Sequence, residues 1–122
     1  MLPNFSVIIP VKNRATYIEH TIKTCLIQKY KNFEIIVSDD NSDDNTGLIV
    51  EQMASKDSRI KYFRHDTSIG MRENFEFALN QIKPGYVIAL GGDDGLLPNG
   101  ISNMWEVLRA TNKEILTWPA SL

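Results

Sequence analysis

Short apolar runs alternate along the chain with segments whose apolar residues recur at helical spacing. Four runs rich in β-branched or aromatic side chains are predicted as strands, at residues 5–9, 33–37, 60–63 and 86–90. The first and fourth runs are predicted to be buried on both faces, and Pro10 is expected to end the first. A fifth extended segment is predicted at residues 114–118.

Four helices are predicted between and after these strands. Their apolar faces comprise Ile18, Ile22, Cys25 and Leu26 within residues 15–28; Ile49, Val50, Met53 and Ala54; Met71, Phe75, Ala78, Leu79 and Ile82; and Ile101, Met104, Trp105 and Leu108. This spacing places Cys25 in the core, where it would not act as a nucleophile. The third helix is expected to stop before Pro84.

Strands that alternate with helices predict the α/β class, with a mostly parallel sheet and helices on both faces. Right-handed crossovers join the strands of such sheets, and ligands bind beyond the carboxyl ends where the strand order reverses. The loops at those ends are residues 10–14, 38–45 and 91–95. We therefore expect the functional site in these three loops.

Size and composition fit this interpretation. The chain has 122 residues, of which 43% are hydrophobic and 23% charged, so one globular domain is expected. No apolar stretch approaches the roughly 20 residues of a membrane-spanning helix. The N-terminus shows no targeting pattern and the single cysteine forms no internal disulfide, which favours a reducing, cytoplasmic location. A net charge of −2 disfavours nucleic acid as a partner.

Carboxylates are concentrated directly after two of the predicted strands. They are Asp39, Asp40, Asp43 and Asp44 after the second strand, and Asp93 and Asp94 after the fourth. Like charges that meet at one sheet edge raise each other's pKa unless a cation neutralises them. Oxygen ligands without a nearby His or Cys favour Mg²⁺ or Mn²⁺, and Mg²⁺ is commonly held by one or two carboxylates together with substrate phosphates. The loops therefore predict a divalent metal and a phosphorylated ligand.

These loops also have purely structural interpretations. Asp43 and Asp44 are better explained as a solvated turn that caps the second helix. Function is favoured for Asp39, at the strand end, and for Asp93 and Asp94 between glycines. The glycines of residues 91–95 either let the backbone approach a ligand or form a tight turn.

Several known motifs are absent. The first strand is not followed by G-x-G-x-x-G, no P-loop occurs, and an EF-hand register starting at Asp40 has Asn45 in place of the turn glycine. A phosphoacceptor receiver domain matches the length and the strand–helix alternation. Receivers, however, carry an acid pair after the first strand, and this chain has none there.

Three sequence blocks resemble the nucleotide-binding half of the family 2 glycosyltransferases, inverting enzymes of the GT-A fold. Residues 6–14 resemble the family's opening strand and Pro-x-x-Asn turn. Residues 28–46 are similar to its second strand and Asp-Asp-Gly-Ser turn, with Asn41 for the usual Gly, and residues 85–98 to its DxD segment. The resemblance implies a Rossmann-like, nucleotide-diphospho-sugar transferase fold. Residues 1–122 would be the nucleotide-sugar-binding part of a truncated catalytic domain whose acceptor-binding part is missing.

The resemblance also implies which residues bind the nucleotide. Asp39 would accept a hydrogen bond from the imide NH of uracil or thymine, while Pro10 and Val11 would line the base pocket. Asn13 belongs to the same turn. Arg72 would contact base or phosphate, although a solvated helix position explains it equally well.

The implied metal ligands lie in the DxD-like segment. Asp93 would bind Mg²⁺ or Mn²⁺ and bridge it to the diphosphate. Gly91 replaces the first acid of the motif, so its contact is lost or passes to Asp94. Gly92 would let the backbone approach the nucleotide.

The implied reaction is attack by an acceptor hydroxyl on the anomeric carbon of a UDP- or dTDP-sugar, with inversion, in bacterial surface polysaccharide synthesis. The acceptor would be a glycan or lipid-linked glycan, and the catalytic base is expected beyond Leu122. The protein is expected in the cytoplasm, at the inner face of the membrane in its full-length form, and the uncovered sheet face is expected to self-associate. The alternative is a non-catalytic nucleotide-binding or receiver-like signalling module.

Overall fold

The four apolar runs form one parallel sheet. In the computed structural model, which describes residues 2–114, the strands are β1 (Phe5–Val11), β2 (Phe33–Asp39), β3 (Ile60–Arg64) and β4 (Tyr86–Ala89), and the helices are α1 (Ile18–Leu26), α2 (Thr46–Lys56), α3 (Met71–Leu79) and α4 (Gly100–Thr111). The strand order is β3-β2-β1-β4, and all neighbours are parallel. The predicted α/β class is confirmed. Residues 115–118 of the predicted fifth segment lie outside the described part of the chain, so that segment stays a prediction.

The order of the strands distributes the helices over both faces. The chain runs outward from β1 to β2 and β3, and then crosses back to β4 on the other side of β1. Because right-handed crossovers in opposite directions lie on opposite faces, α3 is expected opposite α1 and α2. The packing agrees: α1, α2 and α4 share the larger core cluster, whereas α3 covers the other face. Within residues 2–114, no helix combines the length and apolar character that crossing a bilayer requires.

The larger core contains the apolar faces predicted for three helices. Ile22, Val50 and Ile101 are fully buried there, each from a different helix. Cys25 is also fully buried, and burial raises the pKa of its thiol to about 11, against the weaker lowering effect of a hydrogen bond with Thr24. The prediction that this cysteine is a core residue is confirmed.

Pro10 does not end the first strand, which continues to Val11. The carbonyl of Ile8 accepts a hydrogen bond from the Leu90 amide on the β4 side. Because backbone groups of alternate residues point the same way, the Pro10 nitrogen also points toward β4. The β4 pairing already ends at the level of Ile8, opposite Ala89, so no strand amide bond is lost and proline is tolerated.

Two other features differ from the prediction, the bounds of the first helix and the burial of the fourth strand. The first helix spans Ile18–Leu26 rather than residues 15–28, since the amides of Arg14 and Ala15 donate to the side chains of Thr46, at the start of α2, and of Asp44. The fourth strand is not buried on both faces. Val87 is 38% exposed because β4 lies at an edge of the described sheet and α3 packs on β1 and β2.

The apolar face predicted for the third helix is only partly buried. Ala78 packs on Ile8 and Ile36 of the sheet. Met71 and Phe75, however, are 89% and 38% exposed. With a helical rise of 1.5 Å per residue, Met71 lies about 10 Å along the helix from Ala78 and therefore projects past the sheet edge.

A buried carboxylate joins the opposite, amino-terminal end of the sheet. Glu34 of β2 is 2% exposed and accepts hydrogen bonds from Ser6 Oγ (2.7 Å), the Lys83 amide (2.8 Å) and Lys61 Nζ (3.2 Å). Burial by itself raises the pKa of Glu34, but these hydrogen bonds and the Lys61 charge outweigh it and hold the pKa below its usual range. Glu34 therefore ties β1, β3 and the α3–β4 connection to β2.

We expect Glu34→Gln to lower the free energy of unfolding at pH 7 by about 1–3 kcal/mol, since the amide NH₂ replaces one carboxylate oxygen and would face the donor or donors bound to it, either Lys61 or the pair Ser6 and Lys83. A lowered native pKa stabilises the fold above the unfolded-state pKa, and this contribution is lost as the pH falls through the native value. The difference in the free energy of unfolding between the native chain and Glu34→Gln should therefore narrow below about pH 4. Urea denaturation across pH measures it, with exposed Glu106→Gln as control. A difference independent of pH would contradict the assignment.

Candidate functional site

A cavity of about 640 Å³ opens at the carboxyl edge of the sheet, between the ends of β1 and β4. The strand order reverses there, which is the usual ligand position in open parallel sheets, and the volume is typical of small-molecule sites. The wall consists of Pro10, Val11, Lys12, Asn13, Arg14, Asp40, Met71, Asn74, Phe75, Ala89, Leu90, Gly91, Gly92 and Asp93. Five sequence-predicted residues are therefore brought together: Pro10, Val11, Asn13, Gly92 and Asp93.

The loop after β1 is fastened to the loop after β2. Asn13, in the left-handed conformation at φ 53°, donates its amide to Ser42 Oγ (2.9 Å) and accepts from the Asp43 amide (2.8 Å). Asp44 accepts from the amides of Ala15 and Thr46, and these bonds outweigh burial to lower its pKa. Asp44 thus has the structural role favoured from the sequence.

Asp40 holds the segment that leads into α3. Its carboxylate accepts hydrogen bonds from the amides of Ile69 (2.6 Å) and Gly70 (3.1 Å) and from Ser68 Oγ (2.9 Å). Burial alone raises the pKa of Asp40, but these donors and the charge of Lys12 lower it further than burial raises it. An ionised carboxylate is therefore fixed in the cavity wall, with acceptor capacity left for one more donor.

Asn74 anchors the first half of α3 to the sheet. Its Nδ2 donates to the Ser38 carbonyl (2.9 Å), and its Oδ1 accepts from Ser38 Oγ (2.6 Å). The His65 Nε2 lies 3.0 Å from the same Oδ1. Since Asn74 lines the cavity, this network fixes the position of the wall that also carries Met71 and Phe75.

The acidic loop (residues 91–97) approaches β1 closely at Gly92. A Cβ added there would lie 2.8 Å from Val11 Cγ2 and 3.1 Å from Arg14 Cγ. Glycine is therefore needed for the contact between the two loops.

The two carboxylates of the acidic loop converge on Gly91. A Cβ at that position would lie 2.7 Å from Asp94 Oδ2 and 3.2 Å from Asp93 Oδ1, and Asp94 Oδ2 accepts from the Gly91 amide at 3.2 Å. Asp94 thus occupies the space in which a side chain at position 91 would begin. Only Asp93 belongs to the cavity wall.

This arrangement fits a divalent cation that takes some of its ligands from the protein and the others from water and a phosphorylated substrate. Within residues 2–114 no three His, Cys, Asp or Glu side chains are grouped closely enough to hold a metal by themselves. Mg²⁺ commonly takes only one or two protein carboxylates and completes its coordination with water and phosphate oxygens. Asp93 and Asp94 meet that requirement.

Two cations face the same cavity. Lys12 Nζ donates to Ser68 Oγ at 2.9 Å, and Arg14 Nη1 donates to the carbonyls of Lys12 and Asn13 at 3.2 and 3.0 Å. Neither forms an ion pair with another described residue. Their charges are therefore available to an anionic ligand.

Asp39 is not in the cavity wall. It is fully buried, and its Oδ1 accepts from the Ser42 amide (2.9 Å) and the Ser42 hydroxyl (2.5 Å), while its Oδ2 accepts from Tyr62. Burial, together with the Asp39 carboxylate, raises the pKa of the Tyr62 phenol. Asp39 thus fixes the turn after β2, and its neighbour Asp40 faces the cavity.

Arg72 also lies away from the cavity. Its side chain is 83% exposed, and Nε pairs with Glu76 Oε1 at 3.2 Å along the surface of α3. The structure therefore places Arg72 in the solvated helix position that the sequence left open.

The sequence interpretation missed several wall residues. Asp40 was overlooked as an individual site residue, and alternation along β2 is the pattern that separates it from Asp39. Asn74, at the end of the family's Gly-to-Asn segment, was not proposed as a site residue. Met71 and Phe75 had the spacing of a core face, which does not distinguish burial from a cavity wall.

Comparison with known proteins identifies the family. The model of Glycosyl transferase family 2 matches residues 6–120, so the chain belongs to that family. It is 39% identical over 106 residues to the GalNAc(5)-diNAcBac-PP-undecaprenol beta-1,3-glucosyltransferase of Campylobacter jejuni, covering 86% of this chain and 34% of that protein. It is 25% identical to glycosyltransferase GlyG of Streptococcus pneumoniae, covering 91% and 37%.

Solved structures share the fold. S. aureus TarS 1–349 in complex with UDP-GlcNAc superposes with a TM-score of 0.82 at 27% identity, covering 89% of this chain and 32% of TarS. The mannosyltransferase PcManGT from Pyrobaculum calidifontis, in complex with GDP-Man and Mn²⁺, gives 0.75 at 23% identity over 88% and 32%, and this likeness extends to the fold alone. The predicted GT-A fold and family are confirmed. The chain spans about a third of the length of the curated relatives it matches.

We expect Asp40→Ala to loosen residues 65–70, since it leaves the amides of Ile69 and Gly70 without their acceptor. Tryptic cleavage after Arg64 and Arg72, which flank the segment, should become about tenfold faster, equivalent to about 1.4 kcal/mol of local stability. Timed digestion with mass spectrometry measures both sites. Asp43→Ala, which alters an exposed aspartate nearby, is the matched control. Unchanged cleavage in Asp40→Ala would show that the carboxylate does not hold the segment.

Proposed function

We propose that this chain is the donor-binding part of an inverting glycosyltransferase that uses a UDP- or dTDP-sugar and a divalent metal. The proposal depends on one observation. A single cavity, at the point between β1 and β4 where the strand order reverses, is lined both by Asp40 and by Asp93 of the acidic loop. Membership of glycosyltransferase family 2 and the likeness to TarS, described with UDP-GlcNAc, support it. The family assignment also favours a transferase over the receiver-like alternative.

Asp40 is our candidate for recognition of the base. The expected partner of the imide NH was Asp39, but Asp39 is fully buried and does not line the cavity. Asp40 lines the same cavity as Pro10, and its three hydrogen bonds leave one acceptor position for that NH. Uracil and thymine carry that donor, whereas cytosine presents an acceptor there.

The diphosphate would lie between the acidic loop and the loop after β1. Lys12 and Arg14 supply positive charge, Gly92 and Asn13 shape the wall, and Asp93 with Asp94 would hold Mg²⁺ or Mn²⁺. A divalent cation bound there would neutralise the charge that develops on the departing diphosphate.

The acceptor hydroxyl would attack the anomeric carbon from the face opposite the leaving diphosphate, which inverts the configuration. The base that takes its proton is proposed to lie outside these 122 residues, in an acceptor-binding part of the protein. Transfer is therefore proposed for the whole protein, and donor binding for this chain. The Campylobacter relative, named for an undecaprenol-linked glycan, supports a lipid-linked glycan acceptor. We further propose a role in surface polysaccharide synthesis at the cytoplasmic face of the membrane.

If Asp40 accepts the imide NH, UDP and dTDP should bind more tightly than CDP by about 1–3 kcal/mol, the cost of an unpaired buried polar group. In Asp40→Asn most of this preference should disappear. The ratio of affinities is the readout, because loosening of residues 65–70 weakens binding of all three nucleotides alike. Isothermal titration calorimetry measures it, and Asp39→Asn is the matched control that should keep the preference. Equal affinity for the three nucleotides in the native chain would refute base recognition by Asp40.

If Asp93 holds the metal, Mg²⁺ or Mn²⁺ should tighten UDP binding, and Asp93→Asn should reduce that gain at least tenfold, or about 1.4 kcal/mol. Its affinity for UDP without metal should not fall, because the side chain lies outside the core and the substitution removes a negative charge beside the proposed diphosphate position. Calorimetry with and without metal measures both quantities. Asp66→Asn, at another exposed aspartate, is the control. An undiminished metal effect in Asp93→Asn would remove Asp93 from the metal site.

A further inference from the structure

A row of polar side chains on α1 and just beyond its end faces the acidic loop. Thr21 and Thr24 lie on one side of α1, and Gln28, two residues after the helix ends at Leu26, continues the row at a spacing of four. Each of them binds the backbone of the loop or of the turn that follows it. The apolar residues of α1 pack on the sheet instead, with Ile18 and Ile22 fully buried in the core. The polar row therefore has a separate partner.

Thr21 controls the part of the loop that carries the carboxylates. Its Oγ lies 2.6 Å from the Asp94 carbonyl and 3.1 Å from the Gly92 carbonyl. The hydroxyl has one proton, which these two acceptors share. Both carbonyls are thus drawn toward α1, and the exposed side chain of the intervening Asp93 lines the cavity.

The other two residues fix the remainder of the loop. Thr24 Oγ accepts from the Leu96 amide at 3.0 Å. Gln28 donates to the Leu97 carbonyl at 2.7 Å and accepts from the Ile101 amide at 3.0 Å, so it also binds the first turn of α4. The loop is consequently held along α1 by side-chain hydrogen bonds.

We propose that α1 is the positioning element of the acidic loop, with Thr21 as the residue that orients Asp93 toward the cavity. The expected effect of Thr21 on metal binding rests on the proposed function, whereas its effect on the orientation of the loop does not. Thr21 touches neither nucleotide nor metal in this scheme, so it is a positioning residue. Its hydroxyl acts on the loop because the apolar side of α1 already fastens the helix to the sheet.

The first test is amide hydrogen exchange in the native chain and three variants. Thr21→Val removes the donor at nearly constant volume, and Thr21→Ser restores it. We expect the amides of Asp94 and Leu96 to exchange at least tenfold faster in Thr21→Val, with the β2 amides unchanged and Thr21→Ser close to native. Thr111→Val, which deletes an exposed hydroxyl on α4, is the matched control. Unchanged exchange in the acidic loop overturns the proposal whatever the metal does.

Thr24→Val keeps the test decisive if Thr21→Val does not fold. Thr24 is only half-buried, so its substitution is less disruptive. Loss of its hydroxyl should accelerate exchange of the Leu96 amide, because Thr24 Oγ accepts the hydrogen bond from that amide. Native protection of that amide in Thr24→Val would likewise contradict the proposal.

The second test separates positioning from the proposed metal site. With UDP as the probe, Thr21→Val should lose at least tenfold of the metal-dependent gain in affinity while its metal-free affinity stays native, and Thr21→Ser should recover the gain. A full metal response in Thr21→Val despite a loosened loop would overturn positioning of the metal ligand. Absence of any metal response in the native chain would instead count against the proposed function, and the exchange experiment would still decide whether Thr21 holds the loop.

Discussion

The reversal of strand order between β1 and β4 is the constraint on which the rest of the molecule depends. Because the chain runs outward through β2 and β3 and then returns across the sheet, α1 and α3 leave the carboxyl edge toward opposite faces. Within the described residues no strand–helix connection crosses the carboxyl edge between β1 and β4, and the cavity opens there. The location of the site thus follows from topology, whereas its chemistry follows from the loops.

Those loops are held mainly by side-chain hydrogen bonds, and apolar packing contributes only locally, as where Leu96 of the acidic loop contacts the core. Asn13 joins two of them, Asp40 binds the approach to α3, and Thr21 binds the acidic loop. A loop with charged residues at a solvated edge buries too little apolar surface to be fixed by packing, so directional bonds determine its shape. This explains why many polar residues near the cavity serve the architecture and only a few face the open space.

Much of the fold followed from the sequence because the strands and helices have clear periods. The site could be predicted in part from the sequence. The glycines and carboxylates after the fourth strand indicated Asp93 as a site residue, but the sequence pattern does not show whether Asp39 or Asp40 faces the cavity. Which of the two faces the cavity depends on the face of β2 on which α3 packs. That packing is a feature of the tertiary structure, which the local sequence does not determine. For the same reason Pro10 was misjudged, since its tolerance depends on where β4 stops pairing.

The polar row of α1 was visible in the sequence without being interpretable. Thr21, Thr24 and Gln28 have a regular spacing, yet their partners lie 69 to 73 residues further along the chain. Only the assembled sheet brings them together. Met71 and Phe75 illustrate the converse, because a correct helical period places them on one stripe but not within the core.

The burial of Cys25 gives the chain a convenient chemical property. It is the single cysteine in the sequence, it lies on the sheet side of α1, and its thiol pKa of about 11 leaves almost no thiolate at neutral pH. Maleimide or iodoacetamide reagents reach it only when α1 separates from the sheet. A spectroscopic label on a cysteine introduced at the cavity rim can therefore be attached selectively, with the native thiol left in place.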